Sequence, residues 1–316
     1  MKFTTEVKTP VNKIFSHRSK YMLLGSCFAE NMGENLHKYR FEGINNPFGI
    51  LFNPISIAQG LERILDEKYL TPQDLFRHNG LWHSDLYHSD FSDADPQIVL
   101  DRANRQIADA HNILPKTDFL IITFGSSWVY MHKGKVVANC HKLPENNFVR
   151  KRLSVSDIID VYKPLLDRIF RTSPNIKVII SVSPVRYLRD GAVDNSLNKA
   201  TLLLAVEQLV NAFSRLTYFP AYEILLDELR DYRFYADDMV HPSKMTQNIV
   251  WQRFAESFFT DETLAFLPQI DKLHKMLEHN TMHEASDEAA VFKARIESQK
   301  SIVNKYLNDC SLMVFD

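Results

Sequence analysis

Four short stretches of this sequence hold residue types able to do covalent chemistry. Gly25-Ser26-Cys27-Phe28-Ala29-Glu30 places two nucleophiles side by side after an apolar run. Gly125-Ser126-Ser127-Trp128 and Ser183-Pro184-Val185-Arg186 put small polar corners after two more such runs. Asp237-Asp238-Met239-Val240-His241-Pro242-Ser243 carries a histidine three residues after a carboxylate. Acyl transfer needs a nucleophile, a base to take its proton, a group to orient the base, and donors for the oxyanion. These stretches supply all four ingredients. Cys27, at the start of an expected helix, gains from the unpaired N–H groups there, which favour a thiolate. Ser26 has a structural alternative as the helix N-cap. Both stay open as nucleophile.

The elements that must position these residues are legible as apolar runs and periodicities. Tyr21–Gly25, Phe119–Phe124 and Val178–Val182 are solid apolar runs, the mark of strands buried on both faces. Stretches 28–39, 56–65, 98–113, 155–170, 197–216 and 243–259 carry helical spacing, the last opening after the His241-Pro242 break. A further strand is expected at Tyr222–Leu226. Alternation of strand and helix predicts an α/β domain with a mostly parallel sheet, over residues 1–260. In such sheets, sites lie beyond the carboxyl ends of the strands. Two β-hairpin insertions are expected, at 76–95 with Asn79-Gly80 as its turn, and at 128–139 around Lys133-Gly134. Residues 261–316 read as a C-terminal helical extension, packed on the domain or used for oligomerisation.

Composition narrows the function classes. The 316 residues are 45% hydrophobic and 24% charged, with 37 basic against 39 acidic side chains. Such a balance predicts no nucleic-acid partner. No apolar run approaches the roughly 20 residues of a spanning helix, so no membrane partner is expected. The N-terminus has no apolar signal region, and the three cysteines are widely spaced. Both point to a cytoplasmic address. No P-loop, GxGxxG or GxSxG occurs, which argues against nucleotide binding of the usual kinds and against an ordinary α/β-hydrolase. His279 and His283 share a helix face but have no third ligand at suitable spacing, so no metal and no cofactor are expected. His78, His83 and His88 alternate with Asp85, Asp90 and Asp93 as a polar hairpin rim.

The run Gly25-Ser26-Cys27-Phe28-Ala29 resembles the block for which the GSCFA family is named, a family grouped with the SGNH, or GDSL-like, hydrolases. The resemblance extends over most of the chain to about residue 260. It implies a flavodoxin-like three-layer α/β/α fold and an esterase working through a covalent acyl-enzyme, on an O-acylated glycan or a small ester. Overlaid without a gap on the superfamily's Gly-Asp-Ser, Cys27 takes the nucleophile position. Asp238-Met239-Val240-His241 matches its Asp-x-x-His block, giving His241 as base and Asp238 as its orienting carboxylate. Gly49, in Asn45-Asn46-Pro47-Phe48-Gly49, answers to the second block. Gly125-Ser126-Ser127-Trp128 answers to the third, but with Ser127 where that block has an oxyanion asparagine. Asn139, in the family-like stretch Asn139-Cys140-His141-Lys142, is a substitute donor, with His141 beside it. Two alternatives accompany this reading: an acyltransferase with a thioester donor, for which Arg186 and Arg189 hint at an anion site, and a non-catalytic binding module on an esterase scaffold.

Overall fold

The computed structural model describes residues 4–279 and 287–315; His283 lies outside them. The chain runs β1 (Lys20–Gly25), α1 (Cys27–Lys38), β2 (Glu42–Asn45), α2 (Pro54–Leu65), then a hairpin of β3 (Phe76–His78) and β4 (Leu81–His83). Next come α3 (Pro96–Ile113), β5 (Phe119–Phe124), β6 (Trp128–His132), β7 (Lys135–Val137), β8 (Phe148–Arg152), α4 (Val155–Thr172) and β9 (Lys177–Val182). The last part holds α5 (Gly191–Ala212), β10 (Leu216–Phe219), α6 (Ala221–Glu223) running into a π turn at Ile224–Leu229, α7 (Lys244–Phe258), α8 (Asp261–Leu277) and α9 (Asp287–Asp309).

Five strands form one parallel sheet in the order β2-β1-β5-β9-β10. Numbered within the sheet this is 2-1-3-4-5, the flavodoxin-like order. Side chains of a strand alternate between faces, and the runs obey this. Met22, Leu24, Leu120, Ile122, Val178 and Ile180 enter a core with α2, α3, α4 and α5. Tyr21, Leu23, Phe119, Ile121, Ile179 and Phe219 enter a second core with α1 and α7. The architecture is therefore three layers, α/β/α. Leu267, Ile270 and Leu273 of α8 and Val303 and Leu307 of α9 belong to that second core.

Two expectations change, and one strand, β2, has no counterpart among the expected elements. Residues 222–226 are helical, and the fifth strand is Leu216–Phe219, closed by Pro220. Tyr222–Leu226 has the apolar content of a strand, but the sheet edge is already filled by the segment before it. The strand β2, sequence Glu-Gly-Ile-Asn, carries no apolar run because it sits at the sheet edge and is placed by its backbone ladder to β1. The second insertion is larger than a hairpin: β8 joins β6 and β7 in a three-stranded antiparallel sheet. Both tight turns form where expected. Asn79 and Gly80, and Lys133 and Gly134, all take positive φ, as two-residue hairpin turns of this hand require. Among the described residues no helix is long and apolar enough to cross a membrane.

Candidate active site

The sheet order reverses between β1 and β5, and the ends of these two strands meet. Their turns approach too closely for side chains at the glycines. A Cβ on Gly25 would stand 2.6 Å from the Thr123 carbonyl oxygen, and one on Gly125 would stand 3.1 Å from Ser26 Cβ. Asn46 braces the first turn: its Oδ1 accepts from the Gly25 N–H at 2.9 Å, and its Nδ2 donates to Glu30 at 3.1 Å. Asn46 belongs to the same Asn45–Gly49 stretch in which Gly49 was the expected contributor. Gly49 itself turns at φ 72° against His88 and lies off the cavity described below. The N–H groups of Gly125 and Ser126 both donate to the Phe52 carbonyl, so they are spent on holding this corner.

Ser26 and Cys27 sit where β1 gives way to α1. Ser26 occupies the N-cap position but makes no capping hydrogen bond. Its Oγ is closed off from solvent and has no hydrogen-bond partner among the described residues. Cys27 is the first residue of α1, and its side chain is partly exposed. Burial pushes its thiol up from the ordinary value; a backbone N–H offsets this in part, and the Glu30 carboxylate adds to the rise. The helix start therefore does not produce the depressed thiol that its position alone suggests. Desolvation of the charged form outweighs the helix-end field here.

The His241 turn is built by Asp238. Asp238 Oδ1 accepts from the N–H groups of Val240 and His241, each at 2.9 Å, with Met239 between them at φ 57°. Oδ2 lies 2.6 Å from His241 Nδ1. The His241 N–H, then its ring, then the Val240 N–H hold the Asp238 carboxyl down at about 2. An ionised carboxylate can only accept, so Nδ1 carries the proton and Nε2 is left as the basic nitrogen. Asp238, rather than its neighbour Asp237, makes these contacts.

One cavity of about 650 Å³ brings the turns together. Ser26, Cys27, Gly125, Asn139, Arg186 and His241 line it. Trp128 and Tyr130 of β6 and Phe148 of β8 add an aromatic wall. Asn139 Oδ1 is engaged by the His141 N–H at 2.8 Å and by Ser89 at 3.2 Å, which leaves its NH₂ as the free end. His141 is off the cavity. Its ring is buried between the Ser89 hydroxyl at 3.2 Å and the Ser84 carbonyl at 2.8 Å, and burial pushes it down to about 4. Ser127 is also off the cavity, with no exposed surface, its N–H and hydroxyl both donating to Asn198 Oδ1. It braces the third turn rather than facing a ligand. Among the described residues no three His, Cys, Asp or Glu side chains group as metal ligands. Among the described residues no lining residue lies beyond His241, and α8 and α9 supply none.

Asn198 and Lys199 are site-supporting residues that the motif reading passed over. They stand on the buried stripe of α5, with Asn195 and Leu202. The signal was there: polar residues at positions that helical spacing assigns to the core. Lys199 is 1% exposed, and its Nζ donates to the carbonyls of Gly125 at 2.8 Å and Ser183 at 2.7 Å. It ties the ends of β5 and β9 together on the cavity rim. Burial pushes its amine down to about 7, from 10.5. In the unfolded chain the amine keeps its proton up to the ordinary value. Between these two values unfolding takes up a proton, so Lys199 makes stability rise with pH, by at most about 1.4 kcal/mol per pH unit. That contribution is complete above the unfolded value and is lost as pH falls through about 7. Urea melts of wild type and Lys199→Met between pH 7 and 10 should differ by this slope. Parallel curves would show that the folded amine titrates normally.

Comparison with curated proteins by sequence finds no match. Solved structures similar to the chain include a carbohydrate esterase family 3 protein from Talaromyces cellulolyticus, at 10% identity and TM-score 0.36, covering 80% of this chain and 99% of that one. A Clostridium thermocellum family 3 carbohydrate esterase aligns at 11% identity and TM-score 0.36, covering 82% and 99%. A Clostridium thermocellum family two carbohydrate esterase in complex with cellohexaose has 11% identity and TM-score 0.36, covering 84% and 67%. The GSCFA family profile matches residues 20–254, from the first strand of the sheet through the His241 turn and most of α7, and the chain belongs to the GSCFA family.

Proposed function

We propose that the protein hydrolyses carboxylic esters through a thioester on Cys27. The observation that carries this reading is the shared cavity: Cys27 and His241 line one wall system, with Asp238 clamping the His241 ring from behind. His241 Nε2 takes the thiol proton as Sγ attacks the ester carbonyl carbon, and the new S–C bond makes a tetrahedral oxyanion. The Asn139 NH₂, on the cavity wall, and the backbone N–H groups opening α1 serve as its donors in this reading. The C–O bond then breaks, and His241 returns the proton to the departing alkoxide. Water, deprotonated by His241, attacks the thioester; the C–S bond breaks, His241 returns the proton to Sγ, and the carboxylic acid leaves. Because the resting thiol is held protonated, a positioned base is needed at the moment of attack.

Ser26 supports a second reading. An unpaired buried hydroxyl costs about 1–3 kcal/mol, so its persistence beside the cavity asks for a reason. Accessibility favours Cys27, because the Ser26 oxygen is sealed while Cys27 is open to the cavity. Acid-quenched incubation with p-nitrophenyl acetate, followed by peptide mass mapping, separates the two. An acetyl group on Cys27 is expected. Acetylation of Ser26 transfers the role, and an absence of any acyl adduct alongside measurable turnover sinks the covalent route.

A further inference from the structure

The cavity says more about its ligand than the reaction requires. Its volume of about 650 Å³ lies in the range of sites that enclose a ligand of drug size, about 300–1,000 Å³. An acetyl group would leave most of it filled with water. Away from Ser26, Cys27 and His241 the walls are mainly apolar, with Phe52, Trp128, Leu143, Phe148 and Val185 among them. The cations are the second observation. Arg189 is paired with Glu145 at 2.7 Å and also donates to Tyr130. Arg186, among the described residues, has no carboxylate partner. Its backbone N–H donates to the Val240 carbonyl at 3.1 Å and its guanidinium to the Met239 carbonyl at 3.2 Å. It is thereby anchored to the turn that carries His241. The Arg186 guanidinium also lies over the Tyr235 ring, 5.4 Å from its centroid, and keeps N–H donors for one anionic group.

We infer that the site takes esters with an extended apolar acyl arm and one anionic group close to the scissile bond, the anion meeting Arg186 and the arm filling the aromatic pocket. This rests on the proposed esterase reading for the word ester, but the ligand class stands on the cavity and Arg186. Acyl groups on uncharged carbohydrate would use neither the pocket's depth nor its cation.

Three stable amides test the class without turnover: 3-(octanoylamino)benzoate, 3-(acetylamino)benzoate and uncharged octananilide. By calorimetry, the octanoyl benzoate should bind at least about tenfold more tightly than either of the others, given the gain per buried methylene and per charge-assisted hydrogen bond. Arg186→Gln should abolish the advantage over octananilide and keep the advantage over the acetyl compound. Should that variant fail to fold, the wild-type preference for the benzoate must still weaken as salt is raised. Equal binding of acetyl and octanoyl probes, or a preference for octananilide, overturns the inference. The matched ester, 3-(octanoyloxy)benzoate, reports on the underlying reading. Tight amide binding without ester hydrolysis removes the esterase and leaves the ligand class intact.

Discussion

His241→Ala is expected to lower ester turnover by about 10²–10⁴-fold, or to background, with an unchanged melting curve. The fold should tolerate the change because the side chain is 46% exposed and, among the described residues, its side-chain hydrogen bond is to Asp238 alone. The loss should fall on kcat, since the imidazole moves protons rather than binding the acyl arm. Asp238→Asn removes the charge and the Oδ2 acceptor that fix the ring's tautomer, while the amide oxygen keeps the two turn N–H groups paired. It should therefore lower the rate while its melt stays close to that of His241→Ala. Steady-state kinetics beside thermal melts check both. A folded His241→Ala protein with wild-type turnover would remove the histidine from the reaction.

The second large effect concerns the nucleophile. Cys27→Ala should eliminate turnover, while Ser26→Ala should retain a substantial fraction of it. Ser26→Ala should also be neutral or stabilising in a melt, because it deletes a buried hydroxyl that has no partner. The raised Cys27 thiol sets a further sign. With its proton held above the ordinary thiol value, the thiolate fraction at pH 7 is smaller than for a free cysteine. Alkylation by iodoacetamide should then be slow at neutral pH and keep rising through the range where an ordinary thiol levels off. A fast rate that is flat from pH 6 upward would mean a thiolate formed in advance. Loss of activity in Ser26→Ala with full activity in Cys27→Ala would make Ser26 the nucleophile and Cys27 a packing residue.

The C-terminal helices show where a local reading of function and a reading of stability part. Residues after 261 carry none of the chemistry-bearing blocks, and the cavity takes no side chain from them. Yet Leu267, Ile270, Leu273, Val303 and Leu307 share a core with Phe15, Phe41, Trp251 and Phe259. Helical spacing reveals an apolar stripe, but not what it covers. Here it joins that core, on the α1 and α7 side of the sheet.

The sequence by itself determined the layered fold and the strand ends at which chemistry would gather. Continuous apolar runs can be buried only on both faces, and a strand that ends in Gly-Ser must hand its chain to a turn. The Asp238–His241 pair was legible too, because contact across a three-residue spacing is local. Tertiary structure decided the rest, because those properties depend on neighbours distant in the chain. Ser127 and His141 carry suitable groups, but Asn198 claims one and Ser84 with Ser89 claims the other, so neither meets the cavity. Gly49 answers a motif, while Asn46, three residues earlier, reaches Gly25. The N-terminal position of Cys27 on α1 favours a thiolate, yet the depth of its surroundings reverses the sign. Lys199 reads as one charge on a long helix. Only the packing of α5 against the ends of β5 and β9 makes it a buried clasp on two carbonyls, because desolvation is set by everything that surrounds a group and not by its place in the chain.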